Sequence, residues 1–141
     1  MSNDGPAFVD TNVLVYAFNE GDPARRETAG RLLGELMDSD RLRLSTQVFQ
    51  ELFVTMTRKA RRPWSVDEAV EILDNLATWP VISPDYPTIR DAALLSRDAT
   101  ISFWDALVVT AAARSGAEIL YTEDLNHGQV IGGVRVIDPF R

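Results

Sequence analysis

Short apolar runs alternate along the chain with longer segments in which apolar residues recur every three or four positions. The short runs predict strands at residues 7–9, 41–44, 79–82, 118–121 and 134–137. Helical periodicity occupies most of the chain between them. This alternation predicts a three-layer α/β/α domain with a mostly parallel central sheet.

Capping signals mark the starts of several predicted helices, at Asp22 before Pro23, at Ser65 with Glu68, and at Ser102. Residues 103–113 are apolar on almost every face, which predicts a central helix that other elements cover. Residues 97–100 are interpreted as the loop that leads into this helix.

The composition is 45% hydrophobic and 25% charged, as in a soluble globular protein, and we expect one domain over residues 1–141. No apolar run approaches the roughly 20 residues that a membrane-spanning helix needs. The segment from Met1 to Pro6 lacks the positive and apolar regions of a signal peptide. The chain has no cysteine, which excludes disulfides and zinc–thiolate sites, and we expect a cytoplasmic protein.

The formal net charge is −7, which argues against a protein that coats nucleic acid through a basic surface. The negative charge does not exclude an enzyme with an acidic metal site, because bound divalent cations attract phosphate. One segment is basic and contains Arg58, Lys59, Arg61 and Arg62. Cations at a helix C-terminus explain it, and contact with an RNA backbone is the alternative that the sequence leaves open.

Asp10 directly follows the first predicted strand, at the point where Asn12 begins a helical pattern. Open α/β sheets bind ligands and metals at the carboxyl ends of their strands. Asp10 is therefore a candidate metal ligand. The alternative is that Asp10 caps the next helix, since Asp, Thr and Asn all serve as caps; of the two residues, Asn12 is the better candidate for the cap.

Three further acids share the predicted position of Asp10. Asp124 follows a strand, and Glu51 and Asp105 lie in the first two turns of helices that begin at the same edge. Right-handed crossovers place strand ends of one polarity along one edge of the sheet. The four carboxylates are therefore expected to converge although they lie far apart in the sequence.

Convergence of four carboxylates has an energetic consequence. Two like charges about 4 Å apart repel by roughly 4 kcal/mol at an effective dielectric near 20. Such a cluster therefore needs protons or cations, and oxygen ligands suit Mg²⁺ or Mn²⁺. Carboxylate-held Mg²⁺ activates water and stabilises an in-line phosphoryl displacement.

Each candidate also has a structural interpretation. Asp105 with Ser102 resembles a capping box, Glu51 fits a solvated helix position, and Asp124 fits an ordinary turn. Supporting positions at the same edge are Asn12, Ser45 and Thr46, which either orient carboxylates or cap helices. His127, the only histidine, is more typical of a surface loop than of a general base.

Four motifs in order resemble those of PIN-domain ribonucleases: FVDTNVL at 8–14, STQVFQEL at 45–52, SFWDAL at 102–107 and YTEDL at 121–125. The C-terminal NHGQ at 126–129 and GVRVIDPF at 133–140 are similar to VapC-type toxins of toxin–antitoxin pairs. The resemblance covers nearly the whole chain.

The resemblance implies a Mg²⁺- or Mn²⁺-dependent endoribonuclease that cuts structured RNA, such as a tRNA or rRNA loop, and is inhibited by a VapB-type antitoxin. By motif, it implies that Asp10, Glu51, Asp105 and Asp124 are the metal-binding acids, with Asn12 in support. It also implies a homodimer, operator DNA bound only through the antitoxin, and an antitoxin arginine that reaches the acidic site.

Two other functions compete with this interpretation. A non-catalytic module could use the acidic pocket only to dock an arginine-bearing partner. A phosphatase with Asp10 as nucleophile typically needs a second acid two residues later, where this chain has Asn12. Dinucleotide binding is disfavoured because no glycine-rich turn follows the first strand.

Overall fold

The computed structural model describes residues 5–141, which contain six strands and six helices. The strands are β1 (Ala7–Val9), β2 (Leu42–Ser45), β3 (Val81–Ile82), β4 (Ile119–Tyr121), β5 (Val130–Ile131) and β6 (Val134–Ile137). The helices are α1 (Thr11–Phe18), α2 (Pro23–Asp38), α3 (Thr46–Arg58), α4 (Val66–Leu76), α5 (Tyr86–Ala99) and α6 (Phe103–Arg114).

All strands belong to one sheet in the order β3-β2-β1-β4-β6-β5. Every neighbouring pair is parallel except β5 and β6, which are antiparallel. Helices connect the parallel strands up to β4, as parallel crossovers require. The predicted α/β/α domain with a mostly parallel central sheet is confirmed.

β1 lies in the middle of the sheet, between β2 and β4, and all three of its residues are buried. Phe8 pairs in register with Arg43 on one side and with Leu120 on the other. Because the three strands are parallel, the residues that follow them, among them Asp10 and Thr122, emerge at the same edge. This edge carries the candidate site.

α6 is the covered central helix that its sequence predicts. Six of its residues are buried: Ala106, Leu107, Val108, Val109, Ala111 and Ala112. Trp104 in its first turn is the large apolar residue of α6 that is exposed, with 62% of its surface accessible, and Ala113 and Arg114 in the last turn are exposed as well. Ser102 caps the helix, because its hydroxyl accepts a hydrogen bond from the backbone N–H of Asp105 (3.0 Å).

The interpretation of residues 97–100 as a loop is wrong. α5 continues to Ala99 and ends at Thr100, which adopts a left-handed conformation with φ 55°. The polar pair Arg97 and Asp98 suggested a loop, but both side chains are exposed and pair with each other on the surface of the helix (2.8 Å).

The short strand β5 was not predicted from the sequence. It forms a hairpin with β6 through Gly132 and Gly133, whose φ angles of 57° and 87° suit the two central positions of a tight hairpin turn. A side chain at Gly132 would meet Val109 at 2.8 Å, so the turn also needs glycine for close packing against α6. The Gly-Gly pair between apolar residues was the available signal.

Within residues 5–141, none of the helices combines the length and hydrophobicity that crossing a bilayer requires. We expect that Met1 to Pro6 is not a signal peptide, but most of this segment, residues 1–4, lies outside the described residues. That interpretation and the single domain over residues 1–141 stay predictions.

Candidate metal centre

Asp10 is placed by β1 and by the start of α1. Its backbone N–H donates to the carbonyl of Tyr121 (3.0 Å), and its Oδ1 accepts from the N–H of Thr11 (2.8 Å). Asp10 is therefore the N-cap of α1, and the preference for Asn12 as the cap is wrong. The reason is that the helix begins one residue earlier than its apolar periodicity indicates, so Asn12 lies inside the first turn with its side chain free for other partners.

The Asn12 side chain links the two acids that follow strands. Its Nδ2 donates to Thr122 Oγ1 and to Asp124 Oδ2, both at 3.0 Å, and lies 3.4 Å from Asp10 Oδ2. Its Oδ1 accepts from the backbone N–H of Glu123 (3.3 Å), which fixes the orientation of the amide. Asn12 thus contacts both carboxylates, and its supporting role at a metal site stays a prediction.

Thr122 completes this network, and sequence reasoning missed it. The side chain is fully buried, and its hydroxyl donates to Asp10 Oδ2 (2.9 Å). The same oxygen accepts from Asn12 and from the backbone N–H of Asp124 (3.1 Å). A hydroxyl directly after β4, beside two acids, was the signal that could have indicated it.

Glu51 reaches the site from the second turn of α3. Its Oε1 accepts from Thr11 Oγ1 (2.7 Å), and its Oε2 lies 3.4 Å from Gln47 Nε2. Thr11 and Gln47 were also missed. The Glu51 side chain is otherwise exposed, so these two contacts set its direction.

Ser45 and Thr46 lie at the same edge of the sheet, at the end of β2 and the start of α3. The buried Ser45 hydroxyl accepts from the backbone N–H of Val48 (3.4 Å) and caps α3. Thr46 is the first residue of α3 and is half-buried. Within the part of the chain that the structure describes, neither side chain hydrogen-bonds to a carboxylate of the site.

Burial, together with the smaller effect of the negative charges of Asp124 and Glu51, raises the pKa of Asp10 to about 7. The hydrogen bonds from Thr11 and Thr122 oppose this shift without cancelling it. Near neutral pH, Asp10 therefore holds a proton for part of the time unless a positive charge comes close.

Asp105 lies half-buried in the first turn of α6. Burial raises the pKa of its carboxyl, the hydrogen bond with Ser102 opposes this, and the charges of Asp124 and Glu51 add to the rise. The same two acids thus act electrostatically on both Asp10 and Asp105. All four predicted acids occupy one region of the sheet edge.

The four carboxylates share this region but do not close around a single point. In residues 5–141, no group of three or more acidic or histidine side chains is gathered tightly enough to hold a metal ion as the side chains stand. The donor chemistry nevertheless fits Mg²⁺ or Mn²⁺, since every candidate ligand is a carboxylate oxygen and Asp10 is a buried acid without a cationic partner among its hydrogen bonds.

An open cleft of about 450 Å³ lies beside the acids. Its lining includes Thr11, Asn12, Glu51, Thr55, Glu123 and Asp124. Tyr16 borders the same cleft and donates its hydroxyl hydrogen to Glu123 Oε1 (3.1 Å). The guanidinium of Arg25 lies 5.2 Å from the centre of the Tyr16 ring, and its Nη1 donates to the Tyr16 hydroxyl (3.3 Å).

His127 lies outside this network. Its side chain is exposed, and Nδ1 accepts from the backbone N–H of Asp138 (3.1 Å), which ties two surface segments together. This placement confirms the prediction that His127 is a surface loop residue.

Exposed basic side chains lie around the end of α3: Arg58, Lys59, Arg61 and Arg62. Among them Arg62 forms an exposed ion pair with Glu20 (3.5 Å), and their contact with RNA stays a prediction.

The comparison with protein families identifies the class to which this sheet and site belong. The family model of the PIN domain matches residues 7–132. The chain therefore belongs to the PIN-domain family, as its four motifs predict. No curated protein matches the sequence significantly.

Solved structures with the same fold include several toxin–antitoxin proteins. A chain of a toxin–antitoxin complex from Klebsiella pneumoniae superposes with a TM-score of 0.70 at 20% identity, over 94% of this chain and 97% of that one. VapC20 from Mycobacterium tuberculosis, a sarcin–ricin loop cleaving toxin, gives 0.63 at 26% identity, over 84% and 89%. DNA-bound VapBC from Salmonella typhimurium gives 0.61 at 18% identity, over 96% and 98%. VapC-type toxins are thus among the structures that this chain resembles.

Proposed function

We propose that this protein is a metal-dependent endoribonuclease and the toxin of a toxin–antitoxin pair. The observation that carries the proposal is a set of four acids at the carboxyl edge of a PIN-domain sheet, where Asp124 and Glu51 act on both Asp10 and Asp105. Without a cation, burying Asp10 in this field destabilises its charged form, and the hydrogen bonds from Thr11 and Thr122 offset this only in part. A divalent ion resolves the repulsion and attracts a phosphodiester.

The ligands of Mg²⁺ or Mn²⁺ in this proposal are Asp10, Glu51, Asp105 and Asp124. When bound, the ion supplies a water of lowered pKa and stabilises the charge that develops on the phosphate. Asn12 holds the Asp124 carboxylate through Nδ2 (3.0 Å), and Thr122 holds Asp10 through its hydroxyl (2.9 Å). These neutral donors orient the acids without adding a positive charge that would compete with the ion.

The comparisons support the biological setting of this proposal. VapC20 is described as cleaving the sarcin–ricin loop, and other similar structures are complexes of toxin with antitoxin, one of them bound to DNA. We propose a structured RNA loop as substrate, a VapB-type antitoxin as partner, and operator DNA bound only through that antitoxin. We also propose a homodimer that acts in the cytoplasm.

The direct test is RNA cleavage by the purified protein. Cleavage is expected with Mg²⁺ or Mn²⁺ and is expected to stop when EDTA removes the metal. Expression of the wild type is expected to arrest growth, whereas Asp10→Asn and Asp105→Asn are expected to relieve the arrest. Unchanged toxicity of both variants would contradict the proposal.

A second candidate function is a non-catalytic module that docks an arginine-bearing partner. The observation that favours it is the open acidic cleft of about 450 Å³, lined by Glu51, Glu123 and Asp124, where a guanidinium could bind without metal. This function predicts antitoxin binding of full strength in EDTA and no RNA cleavage at any metal concentration. The same cleavage assay therefore decides between the two.

A further inference from the structure

Gln47 joins two of the helices that carry the acids. It lies in the first turn of α3 with only 5% of its surface exposed. Its Nε2 donates to the backbone carbonyl of Trp104 in α6 (3.3 Å) and lies 3.4 Å from Glu51 Oε2. One amide nitrogen thus contacts a carboxylate of the site and the turn that carries Asp105.

The spacing of residues in α3 explains the first contact. Positions four residues apart lie on the same face of a helix, so Gln47 and Glu51 are neighbours. The second contact connects elements that are 57 residues apart in the sequence. The nitrogen of a side-chain amide carries two hydrogens, so it can donate to two acceptors, here the Glu51 carboxylate and the Trp104 carbonyl.

The orientation of the amide leaves a buried atom without a partner. Both neighbours of Nε2 are acceptors, so the NH₂ group faces them and Oε1 points elsewhere. Within the residues that the structure describes, Gln47 Oε1 is buried and has no hydrogen-bond partner. An unpaired buried acceptor destabilises a fold, and methionine, of similar size and shape, would fill the same space without it.

We propose that Gln47 is a positioning residue of the metal centre, which fixes Glu51 and the start of α6 relative to each other. The inference rests on the proposed metal-dependent function. Thr11 holds one oxygen of Glu51 (2.7 Å) and Gln47 holds the other (3.4 Å), so the two contacts together define the plane of the carboxylate. Residues that orient ligands in this way typically change metal affinity by about 10–100-fold.

The test compares Gln47→Met with Gln50→Met, the same substitution at an exposed position of α3. Isothermal titration calorimetry with MnCl₂ measures affinity, and thermal unfolding in EDTA measures the stability of the metal-free protein. Gln47→Met is expected to weaken Mn²⁺ binding about 10-fold or more. Its metal-free unfolding temperature is expected to equal or exceed that of the wild type, because the unpaired acceptor is gone.

RNA cleavage is the third measurement on the same variants. In Gln47→Met the Mn²⁺ concentration for half-maximal cleavage is expected to rise in proportion to the Kd, while the rate at saturating Mn²⁺ stays close to that of the wild type. Gln50→Met is expected to match the wild type in all three measurements.

Two results would overturn the proposal for Gln47. One is a Kd for Mn²⁺ equal to that of Gln50→Met, and the other is a fall in unfolding temperature that accompanies the loss of affinity, which indicates a purely structural role. Absence of Mn²⁺ binding by the wild type is a different result. It would overturn the proposed metal centre itself, and the Gln47 inference with it.

Discussion

The candidate centre has two halves that are built differently. The strand half consists of Asp10 and Asp124, which follow strands and are connected through Asn12 and Thr122. The helix half consists of Glu51 and Asp105, which project from α3 and α6. Hydrogen bonds among its own side chains orient the strand half. In the helix half, Thr11 and Gln47 contact Glu51, whereas the position of Asp105 depends mainly on where α6 lies.

The acidic side chains at this one edge of the sheet therefore differ in how freely they can move. In the strand half each polar atom of Thr122 and Asn12 has a partner, so the side chains have little freedom. In the helix half, Ser102 is the one hydrogen-bond partner of the Asp105 side chain within residues 5–141. If the proposed ion binds, we therefore expect Asp105 to move more than Asp10 or Asp124 as the acids close around it.

The largest effect is expected from Asp10→Asn, which removes the buried acid of the strand half and keeps its shape. RNA cleavage at saturating Mn²⁺ is expected to fall by about 10³-fold or more, the scale of losing one electrostatic contact to the reacting phosphate. Asp38→Asn changes an exposed acid at the end of α2 and serves as the control. Equal RNA cleavage by Asp10→Asn and Asp38→Asn would show that Asp10 takes no part in the reaction.

The second prediction concerns the pH dependence of stability in the metal-free protein. Burial raises the pKa of Asp10 to about 7 from the ordinary aspartate value of about 3.9, so the folded state binds this proton more tightly than the unfolded state. The destabilisation is absent below pH 4, grows between pH 4 and 7, and is complete above pH 7, where it amounts to at most about 4 kcal/mol.

Urea unfolding in EDTA at pH 5 and pH 8 measures this effect. The wild type is expected to lose stability between the two values, and Asp10→Asn is expected to lose much less, because the amide does not titrate. A saturating concentration of Mg²⁺ is expected to restore the wild type at pH 8. Parallel pH profiles for wild type and variant in EDTA would show that the Asp10 charge is not what destabilises the fold.

The edge of the sheet could be predicted from the sequence because strands and helix caps are indicated by short runs of neighbouring residues. The apolar run 7–9, the caps at Asp22, Ser65 and Ser102, and the alternation of strands with helices all predicted elements that the structure contains. The end of α5 and the strand β5 were missed, since exposed polar residues in the last turn of a helix resemble a loop and a two-residue strand has almost no periodicity.

Acids could be named from the sequence, but their partners could not. The contact between Gln47 and Trp104, and that between Asn12 and Asp124, join residues more than 50 positions apart. No spacing rule predicts which neutral side chain will lie beside a given carboxylate, because this depends on how the helices pack onto the sheet. Thr122, Thr11 and Gln47 therefore emerged only from the structure.

A third prediction tests the rigidity of the strand half. Thr122→Val removes the hydroxyl that donates to Asp10 and accepts from Asn12 and Asp124, while keeping the size of the side chain. The unpaired buried groups are expected to lower the free energy of unfolding by about 1–3 kcal/mol. Mn²⁺ affinity is expected to fall by about 10-fold.

Thr110→Val is the matched control for this substitution. The Thr110 hydroxyl donates only to a carbonyl of its own helix, α6 (2.8 Å), so its removal is expected to leave Mn²⁺ affinity unchanged. Urea unfolding and calorimetry measure both variants. If the two substitutions have the same effect on affinity, the strand half is not held by Thr122.

The smallest effect is expected at the border of the site, from Tyr16→Phe. The Tyr16 hydroxyl donates to Glu123 (3.1 Å) and not to any of the four acids, and the ring keeps its edge-on contact with Phe140 (4.9 Å). The substitution also removes the exposed hydrogen bond that Arg25 Nη1 donates to this hydroxyl (3.3 Å), and the two losses together are expected to lower the free energy of unfolding by about 1 kcal/mol. RNA cleavage and Mn²⁺ affinity are expected to stay within about twofold, because Glu123 contacts Asn12 through its backbone N–H rather than its side chain. A large loss of Mn²⁺ affinity in Tyr16→Phe would place Glu123 inside the strand half and extend the rigid part of the centre along α1, from Asn12 to Tyr16.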